Sequence, residues 1–303
     1  MCQSADYRTL IPDSRSIQIT SQIAIAAATT YLIHCPMVFG SVRFSIPLLY
    51  RLRYNRNAMK FAAAFLLIAA GVWAAPKRPV QEFSTSAGAV RITPIQHATF
   101  MIEAGGKVIH IDPWSSGNYD GLPAADLILI TDIHGDHMDP KALAKVEKAG
   151  TVILAPEAVA KTVTTATVIR NGESKKIGAW TIEAVPMYNL KHGPEPGKLF
   201  HDKGRGNGYV LTYGGKRFYI SGDTEGVPEM RALKNIDVAF VCMNLPYTMT
   251  VEEAAEAVKA FHPKVVYPYH YRGTQGMSDT KAFAQGLAGT GIEVRQIDWY
   301  YGG

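Results

Sequence analysis

The 303-residue chain is 47% hydrophobic and 19% charged, an ordinary globular composition with enough apolar material for a large core in one or two domains. Its net charge of +5 is unevenly placed: residues 1–58 carry six Arg and two Asp, whereas 25 basic residues face 24 acidic ones from Met59 onward. The body is therefore close to neutral, and no electrostatic argument for a nucleic-acid partner survives.

Residues 59–75 read as a secretory signal peptide. Met59-Lys60 precedes the uncharged run FAAAFLLIAAGVWAA, and Val72 and Ala74 satisfy the small-x-small rule for cleavage near Ala74 or Ala75. The run is shorter than the roughly 20 apolar residues a membrane span needs, so no stable span is expected after cleavage. Because a signal peptide begins a chain, residues 1–58 are expected to be an upstream over-extension, disordered or irregular, with an uncleaved amphipathic anchor as the alternative. An exported, periplasmic location follows, and N-terminal sequencing of the exported protein tests it: a mature end upstream of Met59 would overturn it. Cys2 and Cys35 lie in the extension. Cys242 alone in the body makes neither a disulfide nor a CxxC pair, and reads as a small buried residue.

From Val90 the chain alternates strand-like and helix-like segments. AVRITPI, ATFMIEA and KVIHIDP come first, punctuated by Gly105-Gly106, a hairpin signal. DLILIT, a helical stretch PKALAKVEKAG, TVILA, a short helix from Pro156, TVIR and AWTIEAVPM follow, then a glycine-rich loop over Gly204–Gly208. The second half reads YVLTY, KRFYIS, a short helix near Pro228–Leu233, DVAFVCM, the helix VEEAAEAVKAF, KVVYPY, the helix DTKAFAQGLAG, and IEVRQIDW. Thr99–Asp112 (TFMIEAGGKVIHID) and Tyr209–Asp223 (YVLTYGGKRFYISGD) share the pattern strand, Gly-Gly-Lys, strand, Asp. This weak internal repeat predicts two similar halves, each delivering a carboxylate at a strand end.

The chemistry concentrates in TDIHGDHMD. Asp132, His134, Asp136 and His137 fall within six residues directly after a buried strand. Two residues apart on an extended chain, Asp132 and His134 project to one side. A turn at Gly135 then aims Asp136 and His137 at a neighbouring point, so one short segment can feed two metal ions. A turn that merely capped the helix at Pro140 would need Asp139 and no histidines.

This segment resembles the HxHxDH signature of the metallo-β-lactamase superfamily, with Asp132 in place of the first His. Asp112 in HIDPW matches the strand-end Asp of the first motif, Asp223 in SGDT the Asp that bridges two metals, and His270 in YPYHYRG the late His. The wording QHATFMIE…IDPW and SGDTEGVPEM is closest to the branch with ascorbate-phosphate lactonases and N-acylphosphatidylethanolamine phospholipase D. The resemblance spans Val90 to the C-terminus. It implies an α/β fold, a four-layer αββα sandwich of two pseudo-symmetric halves over residues 76–303.

It also implies two divalent ions, zinc by default. The first would be held by Asp132, His134 and one further ligand, the second by Asp136, His137 and His270, with Asp223 shared. The family's further ligand follows a VP strand end, where this chain has Tyr188 and Asn189. His201 in FHDKGRGNGY is the favoured substitute, His97 in IQHAT the next, and His192 reads as a loop residue. Asp132 makes the first position harder and more anionic, which brings manganese or iron into range. Asp136 is expected to orient the attacking water as well as bind metal. Tyr188 and Tyr247 are candidate donors to an oxyanion, and Arg272 and Lys191 candidate partners of a phosphate; an ordinary packing or surface role is the alternative for each.

The remaining histidines read as structural: His110 packed in a strand, and His262 capping a helix end. Glu252, Glu253 and Glu256 with Lys259 read as a solvated helix face. The expected function is metal-dependent hydrolysis of an ester-like bond, phosphodiester or lactone, in a small-molecule substrate. A non-catalytic metal-binding or sensor protein is the alternative.

Overall fold

The computed structural model describes residues 78–300; the expected extension and signal peptide lie outside them. The first half opens on β1 (Gln81–Thr85), β2 (Gly88–Gln96), β3 (Thr99–Ala104) and β4 (Lys107–Ile111), joined as antiparallel neighbours. It continues through β5 (Leu127–Leu129), α1 (Pro140–Val146), β6 (Val152–Ala155), α2 (Glu157–Ala160) and β7 (Thr167–Val168), with β4 to β7 paired in parallel. Parallel neighbours need a crossover, and α1 and α2 supply two of them.

The second half repeats this plan. Strands β8 (Ser174–Ile177), β9 (Trp180–Met187), β10 (Gly206–Tyr213) and β11 (Lys216–Ile220) are antiparallel neighbours. After α3 (Pro228–Arg231) come β12 (Val238–Cys242), α4 (Val251–Phe261), β13 (Val265–Tyr269), the small hairpin β14 (Arg272–Gly273) and β15 (Gly276–Met277), α5 (Thr280–Gly286) and β16 (Glu293–Val294). The two seven-stranded sheets run β1-β2-β3-β4-β5-β6-β7 and β16-β13-β12-β11-β10-β9-β8. The predicted repeat is thus structural: the β3–β4 and β10–β11 hairpins hold corresponding places in their sheets.

The sheets pack face to face. Phe100 of the first sheet meets Phe240 of the second at 4.7 Å between ring centroids, and Tyr269 and Trp299 complete a buried aromatic cluster around them. Each such buried ring contributes on the order of 1.5–3 kcal/mol through area removed from water. On the outer face of the first sheet, Ile128, Ile130 and Ile153 pack against Leu143 and Val146 of α1 and Val159 of α2. On the outer face of the second, Tyr219 meets Phe261 of α4 edge to face. The layers are therefore helix, sheet, sheet, helix, as expected.

Local chemistry explains the helix ends. Asp139 N-caps α1 through Lys141 N–H, and Thr250 with Glu253 forms a capping box on α4. His262 closes α4 in the left-handed region at φ 48°, and its Nε2 lies 3.0 Å from the Thr290 carbonyl oxygen. His110 and Cys242 are buried. The expected loop over Gly204–Gly208 is corrected: only its first turn is a loop, and Gly206 already belongs to β10, opposite Met187. A Cβ at Gly206 would lie 2.1 Å from Met187 Cε and 2.9 Å from the Thr131 carbonyl oxygen, so glycine is demanded by close approach. Among the described residues, no helix is long and apolar enough to cross a membrane.

Candidate metal centre

The donors gather where strands of both sheets end. DLILIT is a shorter strand than its pattern suggests, and after Leu129 the chain leaves the ladder and turns at Gly135, with His137 and Met138 N–H both donating to the His134 carbonyl. That turn places Asp132 and His134 on one side and Asp136 and His137 on the other. The second sheet answers with Asp223, just past β11, and His270, just past β13. Three residues here hold left-handed backbone without being glycine: His97 at φ 60°, Asp112 at φ 43° and His270 at φ 47°. Such strain persists only where the surroundings impose it.

Two clusters share Asp223. In the first, Asp132 Oδ2 lies 2.9 Å from His134 Nδ1 and 3.9 Å from His201 Nε2, which is itself 3.3 Å from Asp223 Oδ2. In the second, His137 Nε2 and His270 Nε2 are 3.1 Å apart, and Asp223 Oδ1 is 3.0 Å from His270 Nε2. Asp136 Oδ2 adds itself at 3.6 Å from His270 and 3.9 Å from His137. Donors around one tetrahedral ion stand about 3.3 Å apart, given bonds of about 2.0–2.1 Å, so both sets have the spacing of a coordination shell. His201 Nε2 and Asp223 Oδ1 are buried without a hydrogen-bond partner. Buried polar atoms left so are costly unless something binds them, and a mixed N/O set suits a divalent cation.

On His137 and His201 the ring nitrogen facing away is held, whereas His270 Nδ1 is buried without a hydrogen-bond partner. His137 Nδ1 lies 2.8 Å from the Asp112 carboxylate, which also accepts Thr131 N–H and Oγ1–H at 2.7 and 2.6 Å. His201 Nδ1 lies 2.8 Å from Asn189 Oδ1, whose amide donates to the His192 and Tyr247 carbonyls. A partner on Nδ1 fixes the proton there and leaves the Nε2 lone pair pointing into the centre.

Burial disfavours every charge here, but the groups oppose it together. Burial would depress the His137 imidazole, yet Asp223, Asp136 and Asp112 raise it well above the ordinary histidine value. Burial would raise Asp223, and His270 and His137 bring it well below the carboxylate range. Asp132 is likewise buried, and His134, His201 and Arg205 hold it down at about 2. His97 is lowered to about 4, by burial first and then by His270.

The sequence left the further first-position ligand open, and geometry brings His201 to Asp132 and His134. His97 is brought to the second position rather than the first: its Nε2 is 3.3 Å from Asp136 Oδ2, its ring packs on His270, and His97, Asp136 and His270 together offer a further set of metal donors. His192 is tied to Glu225, its Nδ1 at 3.0 Å. A cavity of roughly 290 Å³ opens on the donors, lined by His97, His134, Asp136 and Asp223 with Phe200, Asn244, Tyr247 and Arg272. Tyr247 and Arg272 are thus brought to the cavity beside the donors. Tyr188 is not, which corrects its expected oxyanion role: its hydroxyl donates to Glu229 at 3.0 Å, and the Lys203 ammonium sits over its ring. Lys191 pairs with Glu253. Asn244 escaped the sequence reading; its place just past the end of β12, beside other strand-end donors, was the available signal.

A family model for the beta-lactamase superfamily domain matches residues 91–270, from β2 to the last of these donors. The chain belongs to the metallo-β-lactamase superfamily. Within the superfamily it is 35% identical over 196 residues to a UPF0173 metal-dependent hydrolase of Pyrococcus furiosus, covering 60% of this chain and 84% of the relative. A Thermus thermophilus member of that group is 32% identical over 217 residues, 67% of this chain and 94% of its own length. A crystal structure from Parabacteroides distasonis, described as that of a metal-dependent hydrolase, is 43% identical with a TM-score of 0.68, covering 73% of this chain and 98% of the other. Igni18 of Ignicoccus hospitalis, a metallo hydrolase, shares 26% identity at a TM-score of 0.59, covering 69% of this chain and 95% of its own.

Proposed function

We propose that this chain is a two-metal hydrolase of ester-like bonds, phosphodiester or lactone, exported to the periplasm. The carrying observation is the place of Asp223 between two donor clusters: Oδ1 lies 3.0 Å from His270 Nε2, and Oδ2 lies 3.3 Å from His201 Nε2 and 3.5 Å from His137 Nε2. In this reading Asp132, His134 and His201 would hold the first ion and Asp136, His137 and His270 the second, with Asp223 available to both. Zinc is the default; Asp132 favours manganese or iron relative to an all-histidine position. A divalent pair would acidify a water toward neutrality and polarise the scissile oxygen.

The chain's own groups do the rest. Asp136, part-exposed in the cavity with His97 against it, accepts a proton from the attacking water and orients it. Asn244 Oδ1 accepts Thr248 Oγ1–H at 2.6 Å, so its amide N–H₂ is turned toward His270 and the cavity, placed to donate to a developing oxyanion. Arg272, stacked on the Tyr300 ring at 4.5 Å, offers a cation to an anionic group. Phe200 and Tyr247, edge to face at 5.1 Å, form an aromatic wall. A substrate with an anionic group and an apolar or ring-bearing portion matches this lining.

The test pairs metal content with hydrolysis of bis-(p-nitrophenyl) phosphate and a lactone panel. Two ions per chain and turnover on one class, lost in D136N, is the expected result. Two ions and no turnover on any member would favour the metal-binding alternative.

A further inference from the structure

Arg205 makes the least expected contact in the centre. Its Nε donates to Asp132 Oδ1 at 3.1 Å and its Nη2 to Asp132 Oδ2 at 2.9 Å, a two-pronged fork on a fully buried carboxylate. The fork is placed by backbone. Gly206 packs against the Thr131 carbonyl, and that same carbonyl accepts Asn207 N–H at 2.9 Å. The start of β10 is thereby pinned to the residue before Asp132, which sets Arg205 beside that carboxylate. A bidentate guanidinium is the geometry that covers one edge of a carboxylate and leaves the remaining lone pairs in fixed directions. Here the uncovered side of Oδ2 faces His134 Nδ1 and His201 Nε2.

Charge explains why the fork is there. Asp132 and Asp223, both buried, and the part-exposed Asp136 put three carboxylates in one centre, one more than a neutral imidazole at 132 would leave. Arg205 cancels the extra charge. On the two-ion reading above, we propose that Arg205 is the positioning and charge-balancing residue for Asp132, so that the Asp132–Arg205 pair, neutral as a whole, occupies the place of a single neutral histidine at the first metal position. Asp132 and Arg205 are then one functional unit. Changing either alone leaves a buried charge uncompensated, whereas changing both together restores a neutral donor.

Cobalt(II) titration of metal-free protein, read as ions bound per chain and by visible absorption, tests this without reference to turnover. Wild type takes up two ions. R205Q lowers affinity at the first position about 10–100-fold, the cost of losing a partner behind a ligand, and leaves the second unchanged. D132H alone is weaker still, because its imidazole faces an unpaired guanidinium beside a dication. D132H/R205Q recovers to within about tenfold of wild type, while D132H/R205K, which keeps the charge, does not. Undiminished cobalt affinity in D132H, or equal recovery with Gln and Lys, overturns the proposal. If D132H does not fold by circular dichroism, R205Q decides: wild-type affinity at both positions overturns it. Fewer than two ions in wild type would instead sink the two-ion reading, and this inference with it.

Discussion

Asp112 shows how much of the centre is set by residues that touch no ion. It is wholly buried at left-handed φ, and its two oxygens collect Thr131 N–H, Thr131 Oγ1–H and the His137 ring proton. Replacing it by Asn puts an amide where an acceptor is needed, and His137 loses the group that fixes its proton on Nδ1. D112N is expected to lower affinity at the second position about 10–100-fold and to spare the first. Competition with a chromophoric chelator measures this; equal weakening at both positions would mean that Asp112 supports the fold rather than His137. Asp132, His134, Asp136 and His137 were legible in the sequence because packing and capping alone rarely call for metal-binding residue types at such short spacing after an apolar run; Asp112 and Asp223 stood out as strand-end carboxylates of the repeat and through the family resemblance, and His270 through that resemblance alone. The place of Asn189 behind His201, and Arg205 altogether, were not legible. An amide behind His201 and a guanidinium on Asp132 have no spacing signature, and Arg205 lies 73 residues from its partner.

At the scale of elements, the repeat extends further than the two hairpins. Asp126, just before β5, accepts Val108 N–H of β4 on Oδ2 at 2.9 Å, and Asp237, just before β12, accepts Arg217 N–H of β11 in the same way at 2.9 Å. Both carboxylates also meet lysines, Lys107 and Lys148 for Asp126, Lys264 and Lys216 for Asp237. Each clamps the entry of a parallel strand to its hairpin. Burial works against the Asp237 charge, but Lys264 and the Arg217 amide outweigh it and lower its pKa. A carboxylate lowered on folding stabilises above its unfolded value near pH 4, and the contribution disappears as pH falls through the folded value. D237N should therefore cost about 1 kcal/mol at pH 7, a fall in Tm of about 2–4 °C. The gap should close toward pH 3; a gap that stays constant with pH would assign the loss to packing instead. The strands absent from the sequence reading are polar ones. β1 (QEFST) buries only Phe83, and β8 (SKKI) is an edge whose lysines deter further pairing. IEVRQIDW alternates only over its first residues, Ile292 and Val294, and pairs over Glu293–Val294 only.

For the whole molecule, the consequence lies in where the donors come from. Asp132, His134, Asp136 and His137 follow a strand of the first sheet, whereas His201, Asp223 and His270 belong to the second. Ions held between them would tie the ends of two sheets that are also joined by the aromatic core and by hydrogen bonds such as Asn207 N–H to the Thr131 carbonyl and Tyr209 O–H to the Ile130 carbonyl. Ion binding to the folded state alone adds about 2.7 kcal/mol when free metal is 100-fold above Kd, or about 5–10 °C in Tm for a domain of this size. Chelation should lower Tm by that amount, and added metal should restore it. Acid should act in the same direction. The carboxylates raise the His137 imidazole well above the ordinary histidine value, so protons compete with the ion from an unusually high pH, and the metal-dependent part of the stability is largest above that value and shrinks as pH falls through it. Hydrogen exchange supplies the decisive reading. With metal removed, protection should drop together at the strand ends after Leu129 in the first sheet and after Ile220 and Tyr269 in the second, because one clamp serves both. Loss confined to one sheet would place the ions within a single half and refute the shared centre.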